Sequence, residues 1–166
     1  MKNTRKLALG AIIAALYIVL THAQNMLFPE STTMAIQFRL SEALCILAFF
    51  TPAAIPGLTL GCVIFNLTSG SSLPLDFLIG SVATLLATTG MWYSQNLKVK
   101  KLPLLGLLLP ALSNSILVGW ELDWVIGGGF WFNAICVAIG EAVVLLLPGS
   151  VLYFAIQSRS LTRHLR

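Results

Sequence analysis

The sequence predicts an all-α membrane protein built as a single bundle of six transmembrane helices. Three observations carry that expectation. Of 166 residues, 57% are apolar and only 10% charged, against about 25% charged in a soluble domain, and the mean hydropathy is +0.89. A globule of this length keeps too much surface to hide so much apolar side chain, which excludes a soluble enzyme. The apolar runs are long, rich in Leu, Ala and Ile, and free of period-two alternation, so spans of about 20 helical residues fit where barrel strands do not.

The first span covers 7–28, behind Lys2, Arg5 and Lys6. A basic start before an apolar run also fits a signal peptide, but Thr21-His22-Ala23 makes a poor cleavage site, so the segment is expected to remain as a helix. The next two spans are 40–52 and 54–69; the former is short, and Pro52 and Pro56 punctuate it. Fusing the two spans into one bent helix gives a five-span alternative. Spans at 75–95, 103–122 and 130–156 complete one domain over residues 1–166.

Charge decides between six spans and five. With six spans and a cytoplasmic N-terminus, Lys2, Arg5, Lys6, Lys98, Lys100, Lys101, Arg159, Arg163 and Arg166 all fall on the cytoplasmic side, nine of the ten bases. Five spans would place the last two groups outside. The net charge of +4 is then a topology signal, and no nucleic-acid partner is expected. Trp120, Trp124 and Trp131 mark the outer boundary, and Trp92, Tyr93 and Tyr153 the inner one.

The acidic residues take the other half. Glu30, Glu42, Asp76, Glu121, Asp123 and Glu141 lie in the outer half or outer loops, together with the exceptional base Arg39. Ionisable groups inside a membrane are costly and face a cavity or a partner. Gln37, Arg39 and Glu42 form a first group; a spacing of three lets Arg39 and Glu42 pair on a helix. Asn114 and Glu121 are two helical turns apart and share a face, as do Asn133, Val137 and Glu141 at four-residue steps. Asn66 sits near the outer end of the third span. Four helices thus offer polar groups at one depth, which favours a solute pocket over isolated interhelical bonds. Carboxylates and amides without matching bases suit a ligand rich in N–H donors, or a cation. Phe130, Trp131 and Phe132 are candidates to stack on a flat ring.

Small residues form the other pattern. Ala8, Ala11 and Ala15 share a face of the first span with Gly10 and Ala14 beside it, while Gly57 and Gly61, and Ala134, Ala138 and Ala142, mark later spans. Such stripes let helices approach closely. In the later spans they are expected to pack internally; on the first span a separate membrane subunit competes for the stripe. Cys45, Cys62 and Cys136 lack metal spacing and read as reduced core residues. His22 reads as a boundary residue. No Walker loop, HExxH or nucleophile–base set occurs, so neither ATP hydrolysis, a metal, a cofactor nor any other catalysis is expected of this chain.

Taken in order, Gln37-Phe-Arg-x-Ser-Glu-Ala-Leu44, Phe50-Thr-Pro-Ala-Ala-Ile-Pro-Gly57, Leu60-Gly-Cys62 with Asn66, and Leu75-Asp76 with Gly80-Ser81 resemble the QueT family. The later series Asn114, Val118-Gly-x-Glu121, Phe130-Trp-x-Asn-Ala134 and Gly140-Glu141 does so too. The resemblance covers essentially the whole chain. It implies the substrate-binding S component of an energy-coupling factor (ECF) transporter in a prokaryotic plasma membrane, with both termini cytoplasmic. The implied ligand is a queuosine precursor, a 7-deazaguanine base such as the 7-aminomethyl form. The implied partners are a transmembrane coupling subunit, met through an Ala11/Ala14/Ala15 stripe, and two cytoplasmic ATPases. Gln37, Arg39, Glu42, Asn66, Asn114, Glu121, Trp131, Asn133 and Glu141 are the candidate ligand residues, and the loops at 29–38 and 69–75 candidate lids. An S component for another flat vitamin, or a solitary facilitator, remains the alternative.

Overall fold

Helix α1 (Lys2–Leu27) is one of four helices long and apolar enough to cross a membrane. The others are α4 (Asp76–Ser94), α5 (Leu104–Val125) and α6 (Phe130–Ser158). Between α1 and α4 lie two shorter apolar helices, α2 (Leu40–Phe49) and α3 (Ala54–Thr68). The computed structural model describes residues 2–28, 31, 38–70, 72–99 and 101–158. Six helices therefore stand where the sequence expects six spans, four of them long enough to cross a membrane, and the chain breaks at Phe50–Ala53 between the two short ones. Among the described residues the lone β-bridge joins Val99 to Leu102 in the α4–α5 turn.

The first of the two short helices reaches further than its residue count implies. α2 is wound as a 3₁₀ helix, with the Glu42 amide donating to the Arg39 carbonyl at 3.0 Å and the Phe50 amide to Leu47 at 2.9 Å. At about 2 Å rise per residue, ten residues extend about 20 Å. Long 3₁₀ runs are uncommon because their hydrogen bonds are poorly aligned. Here packing holds the strained form: α2 is sandwiched among α1, α3, α4 and α6, and Ser41, Glu42, Ala43, Cys45, Ile46, Ala48 and Phe49 are all buried.

Close helix crossings explain the small residues. A Cβ on Gly57 would lie 2.6 Å from the Gly10 carbonyl, and one on Gly61 would lie 2.9 Å from Tyr17 Cβ, so α1 and α3 meet almost backbone to backbone. At Gly119 an added Cβ would come within 2.8 Å of Ala134 Cα, which sets the α5–α6 contact. The stripe on α1 divides. Ala14 is buried against α3, whereas Ala8, Ala11 and Ala15 face outward. Ala14 is thus part of the internal crossing and is unavailable to a partner.

Two further departures have local causes. α6 carries a π-helical turn at Leu145–Gly149 around Pro148, which lacks the amide a regular helix needs. That turn brings Tyr153 into the core, edge-on to Phe49 at 5.9 Å and only 2% exposed. Tyr153 therefore does not belong to the inner aromatic belt, where Tyr93 stands exposed. Trp120, Trp124 and Trp131 all lie on the surface, the first two stacked at 6.4 Å.

Candidate functional site

The ends of α1, α3 and α5 and the starts of α2, α4 and α6 meet at one pole of the bundle. Hydrogen bonds record the convergence. Thr21 Oγ1 donates to Ser41 Oγ at 2.7 Å, joining α1 to α2. Gln24 donates through Nε2 to Ser31 and to the Phe38 carbonyl, and accepts from the Leu40 amide at 2.8 Å, tying down the entry to α2. Asn66 Nδ2 donates to the Asp76 carbonyl at 2.9 Å, joining α3 to α4.

Four carboxylates are buried beneath this pole: Glu42, Asp76, Glu121 and Glu141. Arg39 is the single buried base among the described residues. The expected Arg39–Glu42 pair does not form. Arg39 precedes the helix in an extended conformation (φ −81°, ψ 100°), so helical spacing does not govern its direction. It reaches Asp76 instead, with Nη2 3.8 Å from Oδ2, and its guanidinium lies over the Phe65 ring at 5.7 Å. Both contacts are favourable for a buried guanidinium.

Glu42 is held by neutral donors. The Tyr17 hydroxyl donates to Oε1 at 2.5 Å and the Cys45 thiol to Oε2 at 3.1 Å. Glu141, on α6, accepts from Asn114 Nδ2 of α5 at 3.0 Å and lies within the electrostatic reach of Glu42 and Arg39. Its other oxygen, Oε2, is buried with no hydrogen-bond partner. The same holds for Asp76 Oδ1 and for both oxygens of Glu121, which is 0% exposed. Buried polar atoms are normally satisfied, and four orphaned carboxylate oxygens in one region mark unused capacity to accept hydrogen bonds.

The candidate residues thus divide. Arg39, Glu42, Asn114, Glu121 and Glu141 are brought into one buried region by α2, α5 and α6. Asn66 lies at its rim, and its amide is engaged in positioning Asp76, while its Oδ1 accepts from Ser72 at 3.3 Å. Asn133 is buried too, but its Nδ2 donates to the Gly127 carbonyl at 2.9 Å. It braces the α5–α6 turn, in which Gly127, Gly128 and Gly129 all adopt positive φ and Asp123 Oδ1 accepts from the Gly129 amide. Trp131 is 76% exposed and does not face the cluster. Gln37 and most of the 29–38 loop lie outside the described residues, as does Ser71 in the 69–75 loop. Tyr17 and Asp76 join the cluster from outside the candidate set. Tyr17 stands in an apolar run, and Asp76 has the sequence signature of an ordinary acidic helix start.

Apolar helices packed around a buried, acceptor-rich cluster drawn from five of them are those of a multi-pass membrane protein that carries ionisable groups in its interior. The family model described as QueT transporter matches residues 7–158, and the chain belongs to that family of transporters. Over 75 residues it is 39% identical to the queuosine precursor transporter QueT of Lactococcus lactis subsp. cremoris (strain MG1363). That alignment covers 45% of this chain and 42% of the relative, so under half of the relative's length is matched. No solved structure matches the chain.

Proposed function

We propose that this chain is the substrate-binding S component of an ECF-type importer, capturing a queuosine precursor for ATP-driven uptake. The ligand is a 7-deazaguanine base, with the 7-aminomethyl form the best fit to the site. One observation carries the reading: four buried carboxylates face a single buried guanidinium, and four of their oxygens have no donor. Unpaired charge in a low-dielectric interior is strongly disfavoured. A guanine-like edge supplies parallel N–H donors, and an aminomethyl group supplies positive charge. The family and the name of the Lactococcus relative point to the same ligand class.

In this reading Glu141 and Asn114 receive the ring edge, and Arg39 orients Asp76. Both termini are cytoplasmic in a prokaryotic plasma membrane, with all six helices crossing. Lys101 shares a cleft with Phe154, Gln157 and Ser158, which supports a common side for the basic α4–α5 turn and the C-terminal end. The exposed Ala8/Ala11/Ala15 face of α1 is the docking stripe for a coupling subunit, which in turn carries two ATPases. Mass spectrometry of ligand co-purified with the chain tests the assignment. A 7-deazaguanine is the expected mass; a pterin, a flavin or another vitamin would overturn it.

A further inference from the structure

Glu42 and Glu141 each accept at least one hydrogen bond from a neutral side chain, whereas the carboxylates of α4 and α5 are arranged differently. Asp76 opens α4 and is 1% exposed. Its Oδ2 is committed to Arg39 and, at 3.2 Å, to the Leu73 amide, while Oδ1 has no partner. Gly80 stands one turn further along α4, where an added Cβ would lie 3.3 Å from Asn66 Nδ2 and 3.9 Å from that Oδ1, so a larger residue would crowd the α3–α4 contact beside it. Glu121, from the end of α5, stands beside Asp76, its strongest charged neighbour, and neither Glu121 oxygen has a geometrically formed hydrogen bond.

We infer that Asp76 and Glu121 form a dicarboxylate receptacle for a primary ammonium group on the transported solute. Charge favours a cationic occupant: the four buried carboxylates outnumber the single buried guanidinium among the described residues. Geometry supports an ammonium over a second guanidinium: an ammonium has three rotatable donors, and three orphaned oxygens, Asp76 Oδ1 and Glu121 Oε1 and Oε2, stand ready to accept them. A flat guanidinium holds its donors in one plane and fits the edge of a single carboxylate better than acceptors on two side chains. The site therefore reads the solute in two parts, with the flat ring toward Asn114 and Glu141 and the cationic arm toward α4 and α5.

This inference rests on the proposed 7-deazaguanine reading and is tested separately from it. Purified full-length chain is titrated with 7-aminomethyl-7-deazaguanine and with its 7-methyl counterpart, which keeps the ring and lacks the ammonium. The wild type is expected to prefer the aminomethyl probe by about tenfold or more, as for a buried charge-assisted contact. Asp76→Asn and Glu121→Gln are each expected to bring that ratio close to one. Equal affinity of the wild type for the two probes overturns the receptacle while the ring reading stands. Variants that weaken both probes equally, keeping the ratio, overturn it too. Should a variant fail to fold, the wild-type ratio decides alone. Failure of the wild type to bind either probe overturns the ligand reading itself.

Discussion

The Tyr17 hydroxyl donates to Glu42 Oε1 at 2.5 Å across the α1–α2 interface, with both side chains buried. A phenol in the middle of an apolar helix thus anchors the carboxylate at the centre of the bundle. Tyr17→Phe removes the donor and leaves the buried oxygen unsatisfied. The expected cost is about 1–3 kcal/mol, read as a lower thermal unfolding midpoint in detergent. An unchanged midpoint would mean the bond contributes nothing net.

Asn114→Leu tests the α5–α6 link in the same way. It strips Glu141 Oε1 of its donor, at 3.0 Å, and should destabilise the bundle by about 1–3 kcal/mol. Because Glu141 also serves the proposed ring contact, ligand affinity should fall with stability. The conservative Asn114→Gln lengthens the arm and should restore only part of both.

The α1–α3 crossing predicts a steep size dependence at Gly57. Any Cβ there would sit 2.6 Å from the Gly10 carbonyl, which is backbone and has little room to yield. Gly57→Val should cost about 1–3 kcal/mol through forced separation of the helices. At Gly70, where nothing lies within 4 Å of an added Cβ, Gly70→Ala should stay within about 0.5 kcal/mol of the parent.

Neighbouring alanines on α1 should behave in opposite ways. Ala14→Trp drives a large ring into the α3 contact and should prevent folding. Ala11→Trp and Ala15→Trp alter an exposed face. They should leave ligand binding by the isolated chain intact and abolish uptake in cells that supply the coupling subunit and ATPases. Uptake that survives both outward substitutions would remove that face as a docking site.

Much of the fold is legible in the sequence because lipid leaves few choices. The helix positions follow from apolar length and from Pro52 and Pro56, and the shared burial of Asn114 with Glu121, and of Asn133 with Glu141, follows from helical spacing. What spacing does not carry is direction outside a regular helix. Arg39 lies one residue before α2 in extended backbone, so its partner is Asp76 and not the residue three positions on. The 3₁₀ winding of α2 depends on tertiary packing and has no local signature. Tyr17 and Asp76 are missing from the candidate ligand residues for a related reason: only the crossing of α1 with α2, and of α4 with Arg39, gives them polar neighbours. Trp131 and Asn133 show the converse. Both sit beside the right helix start, but one faces outward and the other is occupied with the glycine turn.

The central claim is that buried carboxylates with unused acceptor capacity hold an N–H-rich, cationic solute. Calorimetric titration of the purified chain with 7-aminomethyl-7-deazaguanine, wild type against Glu141→Gln, tests it most directly. The account predicts saturable one-to-one binding by the wild type and at least about a tenfold loss in the variant, in line with a lost charge-assisted hydrogen bond. Equal affinity in the two proteins, or no heat of binding in the wild type, would contradict it.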